Sequence, residues 1–272
     1  MYSLISRLNG DEAPRHAAQF TSRYEIKYPL AADLIPEISR RLRLYADVDP
    51  HVPRDRSSYT VRTLYLDTPD LRCYYEKLDG LKVRKKLRIR AYGRESSRAF
   101  LEIKRRYTDI VVKERARYSA PEIAALLEGD APDGRGAALV DEKSVRVADK
   151  FLYGLLKLRL RPTLLVLYER EAYIHRCAPY QRATIDTDIR YYPLPDIEDL
   201  YGGRGVVFLR RPAGLLELKF NDFMPVWMRR LQAEFDLRQE QFSKYASGID
   251  ACREDLTRER PTCPQTLWRQ YS

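Results

Sequence analysis

The segment from Val83 to Tyr92, VRKKLRIRAY, has the length of one strand and alternates basic and apolar residues from Lys86 to Ala91. Successive side chains of a β-strand point to opposite faces of the sheet, so residues two apart share a face. The apolar face carries Val83, Leu87, Ile89 and Ala91, and the basic face carries Lys86, Arg88 and Arg90. The apolar face needs a covering layer, and the basic face needs a counter-charge.

The same two-residue period recurs along the chain between turn signals and helical patterns. Strands are predicted over residues 23–28, 59–67, 83–92, 99–106, 110–118, 163–173, 182–189, 205–209 and 214–220. The first predicted strand is followed by a predicted helix of about a dozen residues with Leu34, Ile35, Ile38 and Leu42 on one stripe. Further helices are predicted over residues 69–76, 140–157 and 225–235, with others starting near Pro121 and Phe242. Many strands with a few interspersed helices indicate an α+β fold around a large antiparallel sheet.

Basic residues cluster on three consecutive predicted strands. The cluster comprises Lys86, Arg88, Arg90, Lys104, Arg106, Lys113, Arg115 and Arg117, with Glu102 almost the only acid among them. A solvated outer face is the ordinary reading of one such strand. Like charges opposed across strands cost up to about 1 kcal/mol, however, so a solvated face should mix its signs. We therefore expect a closed antiparallel β-barrel with helices packed on its outside, whose basic interior binds a triphosphate-like anion.

Acidic residues form a minority on the same predicted faces. They are Glu25, Glu102, Asp186, Asp188 and Glu217. Such carboxylates would repel phosphate, but one or two of them could hold Mg²⁺ or Mn²⁺, which prefer oxygen ligands and share phosphate oxygens. The pattern predicts metal-dependent phosphoryl transfer.

Composition restricts the class of protein. The 272 residues carry a formal charge of +10, with a pI near 9.4, which favours an anionic partner. The four cysteines and three histidines show no metal-binding spacing, and the longest aliphatic run, Leu164 to Leu167, is too short to span a bilayer. We expect one cytoplasmic domain over residues 23–256, peripheral at the inner face of a membrane at most, with tails at 1–22 and 257–272.

Several segments, taken in order, resemble one known family. They are Arg23 to Tyr28, Leu87 to Tyr92, Glu102 to Lys104, Val112 to Arg115, Tyr168 to Arg170, Arg182 to Thr187, Leu216 to Lys219 and Phe242 to Tyr245. The chain from about Thr21 to Asp250 thus resembles the VTC domain, the polyphosphate polymerase domain of the vacuolar transporter chaperone complex. That domain belongs to the triphosphate tunnel metalloenzyme superfamily.

The resemblance implies roles for particular residues. Phosphate-clamping, catalytic roles fall on Lys27, Arg88, Arg90, Lys104, Lys113, Arg170 and Arg182. Glu217 is implied as the metal ligand. Substrate contacts fall on Tyr168, near the nucleotide, on Lys219, and on Ser243 with Lys244 at a tunnel mouth.

Two departures from the family pattern bear on function. Eukaryotic members carry a phosphate-sensing domain and a membrane segment; we expect neither in this chain, so coupling to translocation would need a separate membrane protein. The first strand reads Glu25-Ile26-Lys27, without the second glutamate of the ExExK signature found in hydrolytic relatives. The missing glutamate favours a polymerase, which would transfer the γ-phosphoryl group of ATP to polyphosphate. We expect pyrophosphate to serve as a primer, and we expect no nucleic acid as a partner. The alternatives are a metal-dependent triphosphatase and a non-catalytic binder of polyphosphate or RNA.

Overall fold

The structure is a computed structural model that describes residues 23–93, 98–107, 110–128, 142–201, 207–208 and 212–258. The strands are β1 (Arg23–Leu30), β2 (Ala46–Val48), β3 (Tyr59–Asp67), β4 (Val83–Tyr92), β5 (Arg98–Tyr107), β6 (Ile110–Ser119), β7 (Arg161–His175), β8 (Arg182–Pro193), β9 (Val207–Phe208) and β10 (Gly214–Asn221). The α-helices are α1 (Leu34–Leu42), α2 (Arg72–Leu78), α3 (Ala120–Glu128), α4 (Glu142–Lys157), α5 (Val226–Glu234), α6 (Lys244–Ala251) and α7 (Arg253–Arg258).

All ten strands belong to one antiparallel sheet, in agreement with the predicted α+β class. The main path runs β1-β10-β8-β7-β3-β4-β5-β6, with β2 paired to β7 and β9 to β8. Within the described residues, the end strands β1 and β6 do not pair with each other, so the sheet is open. The prediction of a closed barrel is therefore wrong. Alternation fixes which face a side chain occupies, whereas closure also requires the two edge strands to meet at a matching stagger.

The open sheet is nevertheless curved rather than flat. On a flat sheet, β1 and β5 would lie about 29 Å apart, since they are six strand spacings from each other. Burial acts to raise the pKa of Glu25 on β1, yet Lys219, Lys104 of β5 and Lys27 together lower it. The charges of distant strands thus act on one another across a concave face, which we call the inner face.

Helices cover the outer face, as the apolar alternation predicts. Helix α4 buries Val147, Phe151 and Leu155 against the apolar side of β4 and β5, including Leu87 and Ile103. At the other end of the sheet, α1 and α5 pack on β1, β10 and β8 in a second core. The predicted covering layer of the outer face is thus present.

Helix α6 packs on the inner face instead, in a third core with the apolar inner residues of β7 and β8. Gly248 permits this close approach. A β-carbon built at Gly248 would lie 2.4 Å from Leu164 Cδ2 and 2.6 Å from Tyr191 Cδ1. The beginning of α6 is thereby held among the charged residues of the inner face.

Two remaining features of the sequence are a short predicted strand with the loop before it, and the absence of a predicted membrane span. Only Val207–Phe208 of the predicted strand 205–209 is described, and the glycine-rich run from Gly202 to Gly205, predicted to be a loop, lies outside the described residues. No helix in the described ranges is both long enough and apolar enough to cross a membrane.

Candidate functional site

The inner face is lined by cations from nearly every long strand. They are Lys27 on β1, Lys219 on β10, Arg170 on β7, Lys86, Arg88 and Arg90 on β4, Lys104 on β5, and Lys113 and Arg115 on β6. Lys244, the first residue of α6, joins them through its ion pair with Asp186. The register of the strands brings these side chains together.

Glu102 is the centre of one ionic cluster. Its carboxylate is fully buried and lies 2.8 Å from Arg88 Nε, 2.6 Å from Lys113 Nζ, 3.7 Å from Arg115 Nε and 3.8 Å from Arg90 Nη1. Burial acts to raise the pKa of Glu102, but Arg90, Arg88 and Lys113 outweigh it and lower the pKa well below its usual range. We call these five residues the Glu102 cluster, in which one anion orients four cations.

Neighbouring hydroxyl groups on β3 fix the two arginines further. Arg88 Nη1 lies 3.5 Å from the Tyr65 hydroxyl, and Arg90 Nε donates to Thr63 Oγ1 at 3.1 Å. Arg90 is largely buried, whereas the guanidinium of Arg88 retains some exposure. A planar guanidinium held in this way can present its remaining N–H groups to a phosphate.

A row of lysines lies beside the Glu102 cluster. Lys86 is directly opposite Lys104, and Lys104 is directly opposite Lys113, on three adjacent strands. Within the described residues, neither Lys86 nor Lys104 has an ion-pair partner. Burial lowers the pKa of Lys86 and of Lys104, and partial burial lowers the pKa of Lys113 to about 8 despite the opposing effect of Glu102. The row therefore holds like charges at a cost that an anionic ligand would relieve.

Asp186 is the centre of a second cluster on the opposite side of the inner face. Arg170 forms a bidentate pair with it at 2.6 and 2.7 Å, and Lys244 Nζ lies 2.6 Å from Oδ2. Both cations also lie over the ring of Tyr168, at 5.1 Å for Arg170 and 4.6 Å for Lys244. We call Asp186, Arg170, Lys244 and Tyr168 the Asp186 cluster.

The N-terminus of α6 brings Lys244 into that cluster. Ser243 is the N-cap, and its hydroxyl accepts a hydrogen bond from Ala246 N at 3.3 Å. The preceding carbonyl, of Phe242, accepts from Lys27 Nζ at 3.1 Å. The Phe242 to Tyr245 segment is thus tied to β1 and β8 at once.

Two carboxylates, Glu25 and Glu217, lie on adjacent strands. Glu25 is opposite Lys219, and Lys27 is opposite Glu217, in the β1–β10 register. Lys27 Nζ is 3.4 Å from Glu25 Oε1, and Lys219 pairs with Glu217. Burial acts to raise the pKa of Glu217, but Lys219 and Lys27 are the foremost of the cations that lower it. Both groups remain ionised on the inner face.

The sequence matches the model of one protein family. The match, to the VTC domain, extends over residues 22–253 and so includes every strand and helix named above except α7, of which it covers the first residue only. This chain belongs to the VTC domain family. Its described VTC domain therefore carries the Glu102 cluster, the lysine row and the Asp186 cluster on one inner face.

Comparisons with other proteins add distant similarities only. The PH1819 protein of Pyrococcus horikoshii OT3 is 12% identical, with a TM-score of 0.43 over 84% of this chain and 98% of that one. A protein of Vibrio parahaemolyticus provisionally assigned as an adenylate cyclase is 12% identical, with a TM-score of 0.46 over 85% and 99%. At this similarity neither bears on the function of this VTC domain. Among the curated proteins, none matches the sequence.

Most residues implied by the resemblance meet on the inner face of the VTC domain. They are Lys27, Arg88, Arg90, Lys104, Lys113, Arg170, Tyr168, Lys219, Lys244 and Glu217. Ser243 is placed beside them as a helix cap. Arg182 differs, because it lies at the exposed end of β8 opposite Lys219, and its Nε donates to the Pro179 carbonyl at 3.1 Å.

The acidic minority divides into different environments. Glu102 and Asp186 are occupied by ion pairs with arginine and lysine. Asp188 lies at an irregularity of the β7–β8 register, has a φ of 50° and pairs with Arg190, so strict alternation does not apply to it. Glu217 and Glu25 are ion-paired as well, with Lys219 and Lys27, but they lie outside these clusters on adjacent strands and form the pair of carboxylates that could serve a metal.

The fit of this pair to a metal follows from ligand chemistry. Among the described residues, no group of three or more His, Cys, Asp or Glu side chains is arranged to hold a metal ion. Mg²⁺ is commonly held by one or two carboxylates together with substrate phosphates, and Glu217 with Glu25 suits that arrangement. The protein alone supplies only part of such a coordination shell.

Sequence reasoning missed two residues of β3 that face inward. Tyr65 contacts Arg88, and the buried carboxylate of Asp67 accepts hydrogen bonds from Cys73 N at 2.8 Å and Tyr74 N at 3.1 Å. Asp67 also accepts from the Tyr245 hydroxyl, which anchors α6 to β3. Alternation along the predicted strand could have found them, since it places Thr63, Tyr65 and Asp67 on one face.

Proposed function

We propose that this protein is a metal-dependent polyphosphate polymerase that transfers the γ-phosphoryl group of ATP to a growing inorganic polyphosphate chain. Membership of the VTC domain family supports a function that involves triphosphate or polyphosphate. The reaction breaks the bond between the γ-phosphorus and the oxygen of ADP and forms a new phosphoanhydride with the chain end. The products are ADP and a chain longer by one phosphate.

The lysine row is the observation that carries this proposal. Lys86, Lys104 and Lys113 are directly opposed on adjacent strands, and burial lowers the pKa of each. A stable sheet tolerates such an arrangement when a ligand supplies the missing negative charge. A linear chain of phosphates supplies one charge or more for each cation along the row, whereas a single carboxylate or phosphate would neutralise only part of it.

The protein's own part in the reaction is to bind, orient and neutralise. Phosphoryl transfer needs little covalent chemistry from the enzyme, so positioned cations account for much of the rate. We assign Arg88 and Arg90, oriented by Glu102, to the transferring phosphoryl group, with Lys104 and Lys113 on the adjoining phosphates. The terminal oxygen of the polyphosphate chain serves as nucleophile, so no serine, cysteine or histidine nucleophile is required.

We assign the Asp186 cluster to the nucleotide side. Tyr168 offers an aromatic ring beside Arg170 and Lys244, and the capped start of α6 lies at the same place. Mg²⁺ or Mn²⁺, where bound by Glu217 with Glu25, would neutralise charge on the phosphate oxygens.

The test is incubation of the purified protein with ATP and Mn²⁺ or Mg²⁺, with and without a pyrophosphate primer. Polyphosphate is resolved on a gel, and free phosphate is measured in parallel. We expect a ladder of chains that is lost in Arg88→Ala and retained in Arg146→Ala. Arg146 lies on α4, where its guanidinium is 65% exposed and pairs with Glu142, so this variant removes an arginine away from the site.

A second variant tests the metal assignment. Glu217→Gln keeps the shape of the side chain but removes its charge, so we expect the loss of metal-dependent turnover with retained binding of tripolyphosphate. Unchanged metal-dependent turnover in this variant would contradict the role of Glu217.

The products also distinguish the alternatives. Free phosphate without chains would indicate a triphosphatase, in which water replaces the chain end as nucleophile. Tight binding of polyphosphate without turnover, independent of metal and strongly dependent on salt, would indicate a binding protein. The Glu25-Ile26-Lys27 sequence of β1, with one glutamate, favours the polymerase over the triphosphatase.

A further inference from the structure

Tyr65 is an inner-face residue that contacts Arg88 but has no role toward the substrate in the proposed reaction. On β3 it alternates with Leu64 and Leu66, which pack in the outer core beneath α4. It lies directly opposite Arg88 in the β3–β4 register. The phenol therefore points to the same face as the guanidinium that we assign to the transferring phosphoryl group.

The ring of Tyr65 is held in place by α6. Its centroid lies 5.0 Å from that of Tyr245, whose hydroxyl donates to the buried carboxylate of Asp67. Lys86 Nζ lies 4.8 Å from the centre of the same Tyr245 ring. The position of the Tyr65 hydroxyl is thus set by packing on one side and by the basic face on the other.

The hydroxyl of Tyr65 has an unused hydrogen. Its hydrogen-bond contact within the described ranges is Arg88 Nη1 at 3.5 Å, and arginine is a donor only, so the phenol oxygen accepts there. The charged groups that lower the pKa of the phenol are cations, namely Arg88, Arg90 and Lys86 of β4 and Lys244 of α6. Lys27 of β1 and the phenol of Tyr245 also interact with it. A donor surrounded by cations calls for an anionic acceptor.

We propose that Tyr65 is a further substrate-binding residue, whose hydroxyl donates a hydrogen bond to a phosphoryl oxygen held by Arg88. This inference rests on the proposed binding of phosphate chains. It assigns an uncharged donor to the phosphate clamp on β3 and β4. Because the Tyr65 hydroxyl is uncharged and fixed in position, it would bind a phosphoryl oxygen at one point along the phosphate chain. Lysine side chains are mobile and do not impose such a position.

The electrostatics of the site give this contact a distinctive consequence. Burial acts to raise the pKa of Tyr65, but Arg88, Arg90, Lys86 and Lys244 outweigh it and lower the pKa to about 8. Without substrate at pH 8, about half of the phenol is ionised. A bound phosphate chain would neutralise the cations that lower the pKa of Tyr65. It would also accept a hydrogen bond from the Tyr65 hydroxyl, which only the protonated phenol can donate. Binding should therefore take up a proton from solvent at Tyr65.

The experiment is isothermal titration of the full chain with tripolyphosphate at pH 8, in two buffers of different ionisation enthalpy. The dependence of the observed heat on the buffer gives the number of protons taken up. We expect Tyr65→Phe to bind about tenfold more weakly, as for a lost hydrogen bond to a charged group. We also expect it to take up about half a proton less than wild type, because Phe keeps the ring but cannot ionise.

Two controls separate this role from a structural one. Tyr24→Phe removes a hydroxyl from a 46% exposed ring on β1 and should change neither affinity nor proton uptake. Lys113→Arg removes another group with a pKa of about 8, and the difference caused by Tyr65→Phe should persist in that background. A merely structural effect of Tyr65→Phe could weaken binding but would leave proton uptake unchanged.

The outcomes bear on different claims. Wild type that binds tripolyphosphate, with Tyr65→Phe equal to it in affinity and proton uptake, would overturn the role of Tyr65 alone. Wild type that binds no tripolyphosphate would overturn the proposed function, and this inference with it. Weaker binding together with the reduced proton uptake would support the assignment.

Discussion

The two sides of the inner face balance their charges differently. On β4, β5 and β6, the single carboxylate of Glu102 faces the cations Lys86, Arg88, Arg90, Lys104, Lys113 and Arg115. On β1, β10, β8 and α6, the carboxylates of Glu25, Glu217 and Asp186 each have a close cationic partner. The first side lacks negative charge, and the second is close to neutral.

This difference indicates that the two sides of the inner face have different functions. A cation excess around one buried anion can be satisfied by a phosphate chain, which would take the place of the missing acids. A nearly neutral side has little electrostatic need for a ligand, but its paired carboxylates suit a metal or a fixed arrangement of α6. The predictions below test whether the two sides respond differently when charge is removed.

The largest effect is expected at Glu102. Glu102→Gln leaves four cations without their buried counter-charge and should lower the free energy of unfolding by about 3–5 kcal/mol. The measurement is urea denaturation. Glu114→Gln is the matched control, because Glu114 pairs with Arg105 and Lys150 on the partly exposed outer face and should cost at most about 1 kcal/mol.

The two sides of the inner face should also differ in how much stability a ligand restores. Tripolyphosphate should restore part of the stability lost in Glu102→Gln, since it replaces the missing negative charge. Asp186→Asn should also destabilise, through Arg170 and Lys244, but with less recovery on ligand addition. Equal recovery in both variants would contradict the division between the two sides.

A second effect concerns the geometry of Arg88. Arg88→Lys keeps the charge but loses the planar fork and its pair with Glu102, so we expect about 2 kcal/mol weaker binding of tripolyphosphate, roughly thirtyfold. Calorimetric titration measures the change. If binding were unaffected, charge rather than fixed geometry would govern this side of the face.

The third effect is a pH dependence. Because the pKa of Lys113 is about 8, the lysine is charged below that value and loses its charge as pH rises through it. Titration of Lys113 alone should therefore lower the affinity for tripolyphosphate by about tenfold between pH 7 and pH 9. Lys113→Arg should reduce the slope, and the part that remains should depend on Tyr65. An unchanged slope in Lys113→Arg would contradict the role of Lys113.

The smallest effect is expected at Arg182. Its side chain is exposed at the end of β8 and already donates to the Pro179 carbonyl. Arg182→Ala should weaken tripolyphosphate binding by about threefold or less, as for an exposed charge. A loss as large as that of Arg88→Lys would show that the inner face extends to this end of the sheet when ligand is bound.

Much of the site could be predicted because strand alternation is a local property. The Val83 to Tyr92 pattern placed Arg88 and Arg90 on one face and Leu87 and Ile89 on the other, and both placements hold in the structure. Asp188 shows where this reasoning ends. An irregularity of the β7–β8 register and a positive φ remove it from the alternation that holds for Asp186.

The partners of each charge could not be predicted in the same way. Glu102 contacts cations of β4 and β6, and Asp186 pairs with Lys244, 58 residues away in sequence. Tyr65 is not a charged residue, so the pattern of charges did not point to it. Its position opposite Arg88 nevertheless makes it part of the site. These pairings depend on register and on the docking of α6, which no short segment encodes.

By itself, the sequence determined the α+β class, the two faces of the strands, the basic excess and the family resemblance. Each follows from residue types and a period of two. Only the tertiary structure decided that the sheet stays open between β1 and β6, that one buried glutamate orients four cations, and that α6 lies on the inner face. The reason is physical, since the curvature of a sheet and the pairing of its charges arise from contacts between residues far apart in the chain.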